Sequence, residues 1–342
     1  MRYIASLFLI ALFVLIMACR PAEAKPKYLF KIGSLAPEGS VWVLQFHEFA
    51  REVEEKPGGE VGFRVYAGGI MGDDQAMYRK MRVGQLQGGG FTMTGIAQVV
   101  PDFRVMSLPF FFGSYAEVDA VTKGLLPMFQ QKFAEQGMDF IAMTEVGFVY
   151  AMSTAPITTL KELQGTTCWT PSGDPLIAAF LARLAINPIQ LSIPDVLSSL
   201  QTGLVNTVFN SLYGSIVLQW FTKARYINDT PFGYAYGVFL LDGKAMKKMP
   251  EEYAAIIRAA ADRYFPALIQ QTRQSNSESK EILEKQGVQF SHSAPEFITQ
   301  MHGFRDQTAR QVVGSSFSKE IYEEAVRLLE AYRAARPEAA SP

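Results

Sequence analysis

Cysteine and histidine are scarce. The 342-residue chain holds two cysteines, Cys19 and Cys168, and three histidines, His47, His292 and His302. Cys19 falls in an N-terminal stretch with the features of a removable leader. That leaves Cys168 alone in the rest of the chain, so no intramolecular disulfide is expected. A chain of this size can be held by its core without covalent staples. The histidines lie far apart, and none stands in an H-x-x-x-H, C-x-x-C or carboxylate spacing that would suit zinc. There is no G-x-S-x-G elbow for a serine nucleophile, and no Gly-Lys-Ser/Thr follows the glycines Gly88–Gly90. No paired-carboxylate constellation stands out either, so no catalytic residue, metal or cofactor is expected. The net charge is -1, from 32 Lys+Arg against 33 Asp+Glu. The two signs are mixed along the chain with no basic block, which excludes nucleic acid as a partner.

The start of the chain is the strongest local signal. In "MRYIASLFLIALFVLIMACRPAEAKPK", Arg2 precedes an apolar run from Ile4 to Ala18, and Ala22-Glu23-Ala24 supplies small residues. This is the three-part pattern of a signal peptide, residues 1–24, cleaved near Ala24. The apolar run is short for a bilayer span, which needs roughly 20 residues. A retained anchor and lipid attachment at Cys19, ending "LIMAC", are the alternatives; Met17 makes that lipid box irregular. No later segment is long and apolar enough to cross a membrane. The expected location is therefore the periplasm.

Downstream, strand and helix patterns alternate. "YLFKIGSLA" has strand composition, and "VWVLQFHEFAREVEE" carries Val43, Phe46, Phe49 and Val53 at helical spacing. "GEVGFRVYAGG" is the next strand. "DDQAMYRKMRVGQL" is a helix with Asp73 or Asp74 as N-cap. "GGGFTMTGIA" reads as a short strand preceded by glycines. The βαβαβ order implies an α/β fold with a mostly parallel sheet. The Pro-broken segment with Phe110-Phe111-Phe112 reads as a buried crossover. A second βα block follows, with "MDFIAMTEVG" and "FVYAMST" as separate strands, and forms a second lobe. From Pro250 the chain is helical for most of its length, with a kink or break expected at Pro266.

What remains for function is a set of aromatic and small polar residues at strand ends: Thr92, Thr94, Phe148, Tyr150, Trp169, Asn210, Tyr213, Tyr234 and Tyr236. In an open α/β sheet, ligands bind beyond the carboxyl ends of the strands. Pockets there are mostly apolar with a few placed polar groups. This pattern suits a binding cleft better than a catalytic centre. Each of these residues alone is more often core than contact. Cys168, with no base near it in sequence, reads as a buried thiol.

The runs "VYAGGIMGDDQAM" with "RVGQLQ", "PDFRVMSLPFFFGSYAEVDAV" and "PITTLKELQGTTCWTPSGDPLIAAFLARLAINPIQLSIPDVLSSLQTGLVN" strongly resemble the extracytoplasmic solute-binding subunits of TRAP transporters, the DctP-like family. The similarity extends from about Lys31 to beyond Tyr253. It implies a two-lobed periplasmic binding protein fold, class II-like, with a hinge and a long spine helix. The implied division is 25–147 plus about 237–265 for lobe I, 148–236 for lobe II, and 250–335 for the spine and C-terminal helices. It implies a small-molecule solute, delivery to a TRAP membrane permease, and no catalysis. Carried over, the ligand-binding set is Glu38, Met71, Gln75, Thr92, Thr94, Phe148, Val149, Trp169, Asn210, Tyr213, Tyr234 and Tyr236.

This chain departs from the family where the family grips a carboxylate. Trp169 stands where an arginine is usual, and Val149 where a second one is common. Of the family's acidic segment after the next strand, only Asn210 is kept. Burying a carboxylate against Trp and Val without a cation is costly. A hydrophobic or amphipathic solute is therefore expected. The sequence also resembles the subset of these receptors that works with a helical-repeat periplasmic partner. A cationic amine held by Trp169, Tyr213, Tyr234 and Tyr236, with Glu38 or Glu145 as counter-charge, is the competing solute. An organic acid bound without the usual arginine is another. A periplasmic enzyme, and an interaction protein with a ligand-free cleft, are the alternatives outside the receptor class.

Overall fold

A computed structural model describes residues 25–336. The expected leader, residues 1–24, and Cys19 lie outside them. Strands β1 (Tyr28–Ser34), β2 (Val61–Tyr66) and β3 (Gly88–Thr92) are parallel, with β1 between the other two. Helix α1 (Val41–Glu55) buries Val43, Phe49 and Val53, the face that its periodicity marks. Its N-cap is Ser40, whose hydroxyl accepts from the Val43 N–H. Helix α2 (Asp74–Arg82) is capped by Asp73, and Arg79, Lys80 and Arg82 sit in its last turn, where the helix dipole favours cations.

The sheet is mixed rather than mostly parallel. After α3 (Tyr115–Glu135) the chain forms β4 (Met138–Ser153), β5 (Trp169–Pro171), α4 (Pro175–Arg183), β6 (Ile189–Leu191), β7 (Thr207–Asn210), β8 (Tyr226–Asn228) and β9 (Gly233–Asp242). β9 lies between β3 and β4 and is antiparallel to both. The end of β4 pairs antiparallel with β7 and with β8. β5 and β6 form a small parallel pair, tied to β7 by a bridge between Cys168 and Thr207. The chain closes with α5 (Glu251–Lys285), β10 (Gln289–Ser291), α6 (Pro295–Val312) and α7 (Lys319–Ala334).

Three local expectations change. "MDFIAMTEVG" and "FVYAMST" are one 16-residue strand. Gly147, which reads as a stop, adopts φ +111 in a register shift against β9 and bends the strand without ending it. Gly88–Gly90 lie inside β3 rather than before it. A Cβ on Gly88 would come within 2.5 Å of Leu241 Cδ2 and 2.6 Å of the Leu240 carbonyl, so only glycine lets β9 approach. Helix α5 runs unbroken through Pro266 for 35 residues. An interior proline costs about 3 kcal/mol. Packing of α5 on α1, β4 and the short helix Leu212–Val217 offsets it.

The core contains aromatic clusters. Phe49 packs against Phe239 and Phe265, with ring centroids 5.9 and 5.6 Å apart. Phe103 takes Phe129, Phe133 and Tyr236 edge-on at 5.0–5.1 Å. Phe110, Phe111 and Phe112 are all buried, as the crossover reading requires. Such rings bury about 150–250 Å² each and stiffen the frame on which the site is hung.

Candidate functional site

A cavity of about 250 Å³ lies between the half of the molecule built on β1–β3 and the half built on β5–β8. Its walls come from both. β1, β3 and α1 supply Ile32, Phe91, Trp42 and Phe46; the other half supplies Trp169, Phe209 and Trp220. All three tryptophans of the chain line it. Among the described residues, no lysine, arginine or histidine does. The charged residues lining it are Glu145 and Asp174.

Both carboxylates are engaged. The Glu145 side chain is 1% exposed and meets Arg273 Nη2 at 2.8 Å and Nε at 3.0 and 3.1 Å. The Tyr234 hydroxyl also donates to it, at 2.8 Å. Burial pushes the Glu145 carboxyl up, against the pull of Arg273. Arg273 reaches from α5, bonds Asp119 through both Nη atoms, and lies over the Tyr115 ring at 4.4 Å. The Trp42 indole donates to the Glu145 carbonyl at 2.8 Å, which fixes that ring in the wall. Asp174 caps α4 by accepting from the N–H groups of Leu176 and Ile177, and takes the Thr94 hydroxyl at 3.2 Å. Burial raises its carboxyl as well.

Thr92 joins the wall to a buried acid behind it. Its N–H and hydroxyl donate to the two oxygens of Asp74 at 3.0 and 2.6 Å. Burial pushes the Asp74 carboxyl up to about 7.

Trp169 is 3% exposed. Its ring meets Trp220 edge-on at 5.2 Å, and its Nε1 donates to the Leu191 carbonyl at 3.0 Å. The indole therefore presents carbon, not its N–H, to the space. Its neighbour Cys168 is buried, with its thiol pushed up to about 11 by that burial.

Of the residues singled out in the sequence, Thr92, Thr94, Val149, Trp169, Asn210, Tyr234 and Tyr236 meet in this cavity. The other six do not line it; among them Tyr150 is half-buried and pairs with Asn210 across β4 and β7. Glu38 is exposed and bonds His47 at 3.1 Å. Met71 packs on the core and offers its carbonyl to Lys80. Gln75 lies near Gly173, where a Cβ would come within 3.4 Å of it. Phe148 is buried between Tyr115 and Tyr234. Tyr213 sits behind Trp42, its hydroxyl accepting from the Val41 N–H at 2.9 Å. The aromatic cage imagined for a cation thus loses Tyr213, and Glu38 faces solvent. The residues missed include Trp42, Phe46, Phe209, Phe232, Trp220 and Asp174. The signal available was the tryptophan count itself.

The sequence pattern of the DctP family, bacterial extracellular solute-binding protein, family 7, matches residues 32–315. The chain belongs to this family. Members of the DctP family are transport receptors, not enzymes. Similar proteins include YiiZ of Salmonella typhimurium, an uncharacterized protein, 24% identical over 218 residues, which are 63% of this chain and 66% of that one. The ectoine-binding periplasmic protein TeaA of Halomonas elongata is 21% identical over 257 residues, 72% of this chain and 73% of TeaA. The sugar acid binding protein DctPAm of Advenella mimigardefordensis, solved with galactonate, superposes with a TM-score of 0.85 at 19% identity, over 90% of this chain and 99% of that one. A TRAP periplasmic solute binding protein of Desulfovibrio salexigens, solved with orotic acid, gives 0.82 at 20% identity, over 90% and 99%. At these identities the superpositions establish the two-lobed α/β fold of a DctP-family receptor.

Proposed function

We propose that this DctP-family receptor works in the periplasm for a TRAP-type transporter, and holds a hydrophobic or amphipathic solute in the cavity between its lobes. The observation that carries the reading is the cavity wall: three tryptophans, several phenylalanines and, among the described residues, no cation. The two positions that resemble the family's arginine sites, Trp169 and Val149, both face this space. An organic anion there would meet Glu145 and Asp174 without a counter-charge of its own, at a cost of several kcal/mol by general desolvation arguments. An apolar body gains about 25 cal/mol per Å² buried. The lobes of the proposal are residues 25–147 with about 237–265, and 148–236. They close by bending β4 and β9, and the closed form passes its solute to the membrane permease. A helical-repeat periplasmic partner belongs to the same proposal.

An organic acid is the second reading, favoured by the galactonate and orotic acid bound in the structural relatives. One experiment separates the two: mass spectrometry of small molecules carried through purification, followed by thermal shift with the compound found. A lipophilic molecule that stabilises the protein, with no shift from galactonate, orotate or small dicarboxylates, is the expected result. A retained sugar acid or dicarboxylate overturns the hydrophobic reading and leaves the receptor class standing.

A further inference from the structure

A second concavity, of about 1210 Å³, lies away from the solute cavity. It is bounded by the start of β1, the end of α2, the short helix Gly243–Lys247 and the start of α5. Its floor holds Met81, Phe140, Met246 and Met249, all buried. Its rim is basic. Lys27, Lys31, Arg82, Lys244, Lys247, Lys248 and Arg258 line it, against Asp139, Asp242 and Glu251. Two of those three carboxylates are committed. Asp139 takes Arg258 through both oxygens at 2.8 and 2.6 Å. Asp242 caps the short helix through the Ala245 N–H. Among the described residues the other six cations pair with no carboxylate within 4.0 Å. In a chain of net charge -1, this is a local concentration of positive charge rather than a general bias.

We propose that this groove is a membrane-facing surface that binds anionic phospholipid. Charge complementarity is the first support: exposed lysines around an amphipathic floor suit phosphate headgroups above an apolar layer. The second is where the chain enters. Lys27 and Tyr28 line the groove, and Tyr28 stands ten residues after Ala18, the end of the N-terminal apolar run. Ten extended residues span at most about 35 Å. A bilayer holding that run, in transit or as an anchor, or holding a lipid on Cys19, is therefore within reach of the groove. A soluble acidic protein would satisfy the charge and not this placement. The inference is independent of what the solute cavity holds.

The test is flotation of the full chain with vesicles of phosphatidylcholine alone and with about 30% phosphatidylglycerol, at low and high salt. Each basic residue near an anionic surface strengthens attachment about fivefold. The variant K244E/K247E/K248E should therefore lose at least tenfold in binding to the anionic vesicles, with solute binding and unfolding temperature kept. K27E/R82E, on the opposite wall, should act in the same direction and guards against a simple loss of the short helix. Attachment by the apolar run alone would be insensitive to lipid charge, salt and both variants, and that result overturns the proposal. So does competition for the groove by polyglutamate in the absence of any preference for anionic vesicles, which would point to an acidic protein instead.

Discussion

Replacing Asp74 by Asn should abolish a pH dependence built into the molecule. Asp74 is 6% exposed, and both its oxygens accept from Thr92. Its carboxyl is pushed from 3.8 up to about 7 by burial. A raised folded pKa means that the folded state holds the proton where the unfolded state has lost it. The stability tied to that proton is complete below about pH 4, falls by about 1.4 kcal/mol per pH unit, and is gone above about pH 7. The whole swing is about 4 kcal/mol. D74N has no such proton to lose. Its amide oxygen can still accept the Thr92 N–H, and its NH₂ can donate to the Thr92 hydroxyl. Urea unfolding of both proteins from pH 4 to pH 8.5 isolates the term, because every other carboxylate is common to the pair. The difference in unfolding free energy should move in favour of D74N by about 4 kcal/mol across the range, about 8 °C in unfolding temperature. Parallel curves would refute the argument, since they would mean that Asp74 is ionised throughout at no cost to the fold.

Other outcomes follow from the same geometry. R273M strands the Glu145 carboxylate, 1% exposed, and should cost about 3–5 kcal/mol in urea unfolding. E145Q/R273M should recover at least half of that loss, because the remaining partner is then neutral. G95A places a Cβ 2.1 Å from Asp74 Cβ, so unfolding should come about 3 kcal/mol earlier; an unchanged midpoint would mean that α2 shifts freely. W169R should weaken an apolar solute at least tenfold by calorimetry and open measurable binding of galactonate or orotate; affinity equal to the parent would place the indole outside the contact surface.

Much of the frame could be read directly. α1 was legible to the residue because Val43, Phe46, Phe49 and Val53 recur at helical spacing, and the helix buries three of those four. β1 and β2 were legible because each is closed by a turn signal, and β3 was found with its glycines misplaced. β9 was not legible as the antiparallel partner of both β3 and β4, because pairing between distant segments leaves no mark in local pattern. β4 was divided at Gly147 because a glycine that bends a strand and one that ends it look alike in a single sequence. At the site, Trp169, Asn210, Tyr234 and Tyr236 stood out as strand-end residues. Trp42 and Trp220 did not. Both lie on helical turns, where a residue facing a cavity has the same periodicity as one facing the core.

The placement of the tryptophans has an optical consequence. Trp42, Trp169 and Trp220 are the only indoles of the chain, and all border one space. Ultraviolet emission excited through indole therefore has no bystander component. A change in its colour or yield reports on the filling, wetting or closing of that one cavity. Two of the three rings lie in edge contact 5.2 Å apart, so the unmodified protein carries its own light-based gauge of occupancy, usable before its solute has been named.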